Sequence, residues 1–129
     1  MYETILLPVD ESEGAAVAVE HAVDLARRHD ATLDVLYAAG NGGDEDPEAI
    51  VERAAAVARE AGVEVNTVVL DGTPHETIVD YVDDRGIDAV VMGSHGRRGL
   101  DRYILGSVTE KVLRTVDVPV LVVPGLVAE

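Results

Sequence analysis

Apolar residues recur along the chain in two alternating rhythms. Short unbroken runs occupy 3–9 (ETILLPV), 31–38 (ATLDVLYA), 63–70 (VEVNTVVL), 87–93 (IDAVVMG) and 118–123 (VPVLVV). Their Val- and Leu-rich continuity predicts buried strands. Between them, apolar residues return every three or four positions, the spacing of one buried helical face. The first such stretch runs from about Ser12 to His29, with Val19, Ala22, Val23 and Ala26 on that face. The second follows Asp46, a candidate N-cap with Pro47 at the first helical position. Its face is Ile50, Ala54, Val57, Ala58 and Ala61, and Gly62 stops it. The third opens on Thr73 and Pro74, with Glu76 spaced to complete a capping box, and ends near Gly86. The fourth begins near Gly106–Ser107 and carries Leu105, Val108 and Val112 inward.

Strand and helix thus alternate from end to end, which predicts an α/β fold with a parallel sheet and helices on both faces. The loop at 38–47 is too short to separate two cores, so residues 1–129 read as one domain. In such sheets ligands bind beyond the carboxyl ends of the strands, where strand order reverses. Two of those ends carry unusual residues. The first strand ends in Pro8, Val9 and Asp10, and the fourth runs straight into GSHGRRGLDRYILGS, residues 93–107. The alternation leaves open whether these two strands are neighbours.

Composition changes the picture in two ways. No Phe, Trp or Cys is present, so Val, Ala, Leu and Ile must fill the core, and thiolate chemistry and disulfides are excluded. The formal charge is −15, from 25 acidic and 10 basic residues. A field of that sign repels nucleic acid and anionic membrane, and it reads as a solvated surface suited to a high-salt cytoplasm. The N-terminal run lacks a basic segment and is short for a signal peptide, and no stretch reaches a membrane span of roughly 20 apolar residues. A cytoplasmic protein is the expectation.

Against that acidity, Arg97, Arg98 and Arg102 gather within the segment 93–107. Gly93 and Gly96 allow close backbone approach, and the helix start offers unpaired N–H groups and a partial positive charge. Ser107 and Thr109 can add hydroxyls. Taken singly, these features are ordinary: glycines make turns, arginines balance Asp101 and Glu110, and Ser107 caps a helix. Together, at a strand end, they predict a phosphate site. It is not a Walker loop, since no lysine precedes Ser107, and Gly-x-Gly-x-x-Gly is absent.

The segment has the form Gly-x2-Gly-x9-Gly-Ser, through Gly93, Gly96, Gly106 and Ser107. In this it resembles the ATP-binding universal stress proteins. ILLPVDES near the start, DGTPHETIV in the middle and GSVTEKVLRTVDVPVLVV near the end agree, so the likeness spans essentially the whole chain. The resemblance implies a Rossmann-like three-layer α/β/α sandwich with a five-stranded parallel sheet in the order 3-2-1-4-5. By position it implies that Pro8, Val9 and Asp10 lie against adenine and ribose, with Asp10 on the ribose hydroxyls. Ala38 would meet adenine through its backbone, and Met92 and Gly93 would flank the nucleotide. Gly96, Arg97, Gly106, Ser107, Val108 and Thr109 would form the phosphate loop and helix start, with His95 as a further donor. It also implies a homodimer through strand 118–123, although Pro119 there could simply blunt an edge. The segment after the second strand is shorter than in many members, and Arg97–Arg98 and Gly99 are not fixed parts of the signature, which leaves ATP and AMP both open as ligands.

Catalytic groups are sparse. Ser94 and His95 are adjacent with no orienting acid, and His21 and His29 fall within the first helical pattern as surface or packing residues. His75 joins His95 only as a possible hydrogen-bond donor to phosphate. No metal site built from protein side chains is visible, so Mg²⁺ or Mn²⁺ would arrive on nucleotide phosphates. The expectation is a nucleotide-binding signalling module of the stress response, with at most weak ATPase activity. The alternatives are a slow ATP hydrolase or phosphotransferase at the same site, and a stress-related dimer that binds no nucleotide.

Overall fold

A computed structural model describes residues 2–10, 14–39, 46–94 and 106–124. The elements run β1 (Thr4–Pro8), α1 (Gly14–His29), β2 (Thr32–Ala38), α2 (Pro47–Glu60), β3 (Val65–Leu70), α3 (Pro74–Arg85), β4 (Ala89–Gly93), α4 (Ser107–Thr115) and β5 (Val120–Val123). All pairings are parallel and the strand order is β3-β2-β1-β4-β5, the order that the resemblance implied.

This order follows from chain direction. The first two crossovers step away from β1 on one side of the sheet, and the third carries the chain past β1 to found β4 on the other. Right-handed connections then place α1 and α2 on one face and α3 and α4 on the opposite one. Each face has its own core. One packs Ile5, Leu7, Leu33, Val35 and Val91 beneath α1 and α2. The other packs Leu6, Leu36, Val90 and Met92 beneath α3 and α4. Neighbouring residues of one strand serve opposite faces, so β1, β2 and β4 are buried on both sides and read as unbroken apolar runs. The edge strands β3 and β5 are only half-buried, against the expectation of fully buried strands, because each has a single strand neighbour.

The first three helices stop where the chain turns left-handed, whereas α4 ends on extended backbone at Val116. Gly62 has φ of 80° and Gly86 of 63°, and the N–H groups of Val63 and Ile87 return to the carbonyls of Ala58 and Val82. These are Schellman closures. Asp30 does the same for α1 at φ of 56°, with the Ala31 N–H on the Ala26 carbonyl. Asp46 caps α2 as expected, its carboxylate accepting from the Glu48 N–H at 3.2 Å. Two expectations are corrected. Thr73 occupies the N-cap of α3 but its hydroxyl makes no capping bond, so the capping box does not form. Thr73 is exposed like Asp46, but its neutral hydroxyl is a weaker acceptor than a carboxylate. In α2 the buried stripe is Ile50, Val51, Ala54, Ala55 and Ala58, which rotates Val57 to its margin and into solvent.

Candidate functional site

The carboxyl ends of β1 and β4 meet at the point where strand order reverses. Between them the ladder is short: Ile5 pairs with Ala89 and Leu6 with Val90, and no further. Beyond it β1 stays with β2 as far as Pro8 and Leu36, while β4 stays with β5 as far as Gly93 and Val123. The β1–β4 ladder thus ends at Leu6 and Val90, short of the ends of both strands and at the switch point where open parallel sheets hold their ligands.

Each expected residue on this rim has a definite place. Pro8 ends β1, and the N–H of Val9 donates to the Leu36 carbonyl at 2.9 Å. The Val9 side chain is buried in the core beneath α1, so a ligand could meet this residue only through its main chain. Asp10 follows, half-buried, with an interaction of its own. Ala38 closes β2 opposite Leu70, and the next N–H, of Ala39, already donates to the Leu70 carbonyl at 2.7 Å. The Met92 side chain is buried in the opposite core, so it can reach a ligand only through its main chain. Gly93 ends β4 and is half-buried.

From here the chain reaches α4. Ser94 donates its N–H to the Val123 carbonyl at 2.9 Å and accepts from the Gly106 N–H at 2.7 Å. That second bond seats the N-cap of α4 beside the end of β4. Gly106 has extended backbone (φ −64°, ψ 153°) and no side chain to cap with. The N–H groups of Ser107, Val108 and Thr109 consequently have no partner within the helix, whose first backbone bond runs from Glu110 to Gly106 at 3.0 Å. Ser107 is exposed at the first helical position and Val108 packs against the core. Thr109 is buried, its hydroxyl donating to the Gly93 carbonyl at 2.8 Å. His95, Gly96 and Arg97 lie outside the described residues, as do Arg98, Arg102 and Leu105.

The donor set suits an anion: backbone N–H groups at the positive end of a helix, set beside the point where strand order reverses. Among the described residues no group of three or more His, Asp or Glu side chains could hold a metal ion. His21 and His29 are exposed, and His29 stands edge-on to the Tyr2 ring at 5.0 Å.

One polar cluster was not expected from the sequence. Asp34, in the middle of β2, is 6% exposed. It accepts from the Tyr81 hydroxyl at 2.8 Å and from the Asn66 side-chain amide at 3.1 Å. Burial, then the bond to Asp34, pushes the Tyr81 hydroxyl up to about 12. The signal was an acidic residue inside an apolar strand run, which in a buried strand demands partners.

The universal stress protein family model matches residues 1–124. The chain belongs to the universal stress protein family. It is 31% identical to the universal stress protein MJ0531 of Methanocaldococcus jannaschii, over 95% of this chain and 82% of that protein. The solved structure of MJ0577, from the same organism, is 30% identical with a TM-score of 0.81, covering 95% of this chain and 96% of that one. A universal stress protein of Archaeoglobus fulgidus solved in complex with dAMP is 25% identical with a TM-score of 0.75, over 95% of this chain and 98% of that one. No helix among the described residues of this universal stress protein is long and apolar enough to cross a membrane.

Proposed function

We propose that this universal stress protein binds an adenine nucleotide, ATP or AMP, at the switch point between β1 and β4. The observation that carries the reading is the early end of the β1–β4 ladder directly beside an uncapped helix start. An adenosine would lie there, with Pro8, Val9, Asp10 and Ala38 on one side and Met92 and Gly93 on the other. Its phosphates then lie at Gly106, Ser107 and Val108, with His95, Gly96 and Arg97 supplied by the connecting segment. The dAMP complex of the Archaeoglobus fulgidus relative supports a nucleotide of this class. Mg²⁺ or Mn²⁺ would come with the phosphates, since the described side chains offer no cluster to hold one.

The protein acts in this reading as a cytoplasmic signalling module of the stress response, a single domain that pairs through β5. Nucleotide occupancy alters the pair or its affinity for a further protein. Its acidic surface keeps it soluble in high salt.

The test separates binding from folding. Gly106 already has the backbone of an ordinary N-cap, a position at which Asp is among the favoured residues. Gly106→Asp should therefore keep or raise the melting temperature while its carboxylate occupies the first-turn N–H groups. Two charge-assisted hydrogen bonds to phosphate would be lost, so the affinity for ATP should fall by about a hundredfold or more. Equilibrium dialysis with labelled ATP in high salt measures it. No saturable binding by the wild type at millimolar nucleotide would end this reading.

A further inference from the structure

We infer that the Thr109 hydroxyl positions the nucleotide site and is not one of its ligands, an inference that rests on the adenine nucleotide reading above. A threonine hydroxyl has one proton to donate, and ionised phosphate oxygens only accept. In Thr109 that proton is on the Gly93 carbonyl at 2.8 Å, and the residue is 4% exposed. It could serve a phosphate only by releasing the end of β4.

The bond has a purpose that its neighbour makes clear. Two consecutive carbonyls at the end of β4 hold the start of α4. Ser94 takes the Gly106 N–H at 2.7 Å, and Gly93 takes the Thr109 hydroxyl. A single bond at the N-cap would let the first turn pivot about it. The second, one helical turn away, fixes the rotation as well as the place of α4 on the strand. The N–H groups of Ser107 and Val108 point where that rotation sends them. The hydroxyl thus aims the donors that would meet phosphate, without touching it.

The sequence suggested the opposite, because Thr109 falls in the stretch that matches the phosphate loop. Helix geometry separates the two roles. Ser107 is at the exposed first position, whereas Thr109 faces the sheet beside buried Val112.

The test compares ATP with adenosine, which lacks the phosphates, by calorimetry on the full chain in high salt. Thr109→Val keeps the shape and removes the hydroxyl, and Thr109→Ser restores it. Thr109→Val should weaken ATP about tenfold, the size of one misdirected hydrogen bond to a charged group, with adenosine unchanged and Thr109→Ser matching the wild type. Equal ATP binding by Thr109→Val and wild type overturns the inference and leaves the nucleotide reading standing. So does an equal loss for adenosine, or a loss in Thr109→Ser as large as in Thr109→Val. Absence of ATP binding in the wild type removes the nucleotide reading itself, and this inference with it. Should Thr109→Val not fold, proton NMR of the wild type decides. The Thr109 hydroxyl proton should stay in contact with Gly93 when ATP is added, and its transfer to the ligand overturns the assignment.

Discussion

Asp34 shows what one polar residue costs in a strand buried on both faces. It falls between Leu33 and Val35 in the chain but faces the opposite side of the sheet, where both its oxygens are bonded, one to Tyr81 and one to Asn66. Arg85 stands over the Tyr81 ring at 5.3 Å, so the ring is held from two sides. Tyr81→Phe should destabilise the protein by about 1–3 kcal/mol at neutral pH, because it leaves the carboxylate one partner short. The same hydroxyl carries a pH signature. Its folded value is about 12 against 10.0 for a free tyrosine. The folded state therefore holds the proton more tightly than the unfolded state. That contribution is whole below pH 10 and fades as pH rises through about 12. Urea unfolding from pH 7 to 12 should show the wild type and Tyr81→Phe converging above pH 10; parallel curves would show that the hydroxyl is not held. The cluster was missed in the sequence: Asp34 sits in a run that reads as a plain buried strand, and its partners Tyr81 and Asn66 lie on two other elements.

At the scale of elements, the alternating rhythm was enough to find the five strands and four helices of the described residues, since most of them bury a continuous run or stripe of apolar side chains. Strand starts were read one or two residues early, as at 63–64 and 118–119, where apolar residues precede the first paired position. Caps were less legible, because a capping residue type states a capacity and not a bond. Asp46 and Thr73 both precede a proline at the first helical position, with extended backbone at the cap, yet only Asp46 makes the bond. Asp46→Ala should cost about 1 kcal/mol, and Thr73→Ala should stay within about 0.5 kcal/mol of the wild type. Equal losses in thermal melts would show that the two caps work alike. The site divided along similar lines. Gly93, Gly106 and Ser107 came from motif spacing, Pro8 from a strand end and Ala38 from the resemblance, and all five lie at the carboxyl ends of strands or at the helix start beside them. The inward turn of Thr109 and Met92 was hidden, since spacing along a loop does not state which way a helix is rotated on its sheet. His95, Gly96 and Arg97 lie outside the described residues.

For the whole molecule, charge and the β5 edge act against each other. β5 pairs only with β4, and Leu121 on it is 45% exposed, as is much of Leu113 on α4. An apolar edge strand with a free row of backbone groups invites a partner. Pro119 sits just before the strand and leaves Val120–Val123 able to pair across a two-fold axis, as the proposed dimer requires. Each copy carries a formal charge of −15, so bringing two together is opposed by long-range repulsion. Salt decides which effect wins, because the screening length falls from about 30 Å at 0.01 M to about 3 Å at 1 M, while burial of apolar surface is not weakened by salt. The dimer should therefore tighten with ionic strength, and sedimentation velocity should show monomer at low salt giving way to dimer at high salt. Leu121→Asp should hold the protein as a monomer throughout, with its melting temperature little changed, since this side chain lies outside both cores. A dimer that persists in Leu121→Asp, or one indifferent to salt, would place the contact elsewhere than on β5.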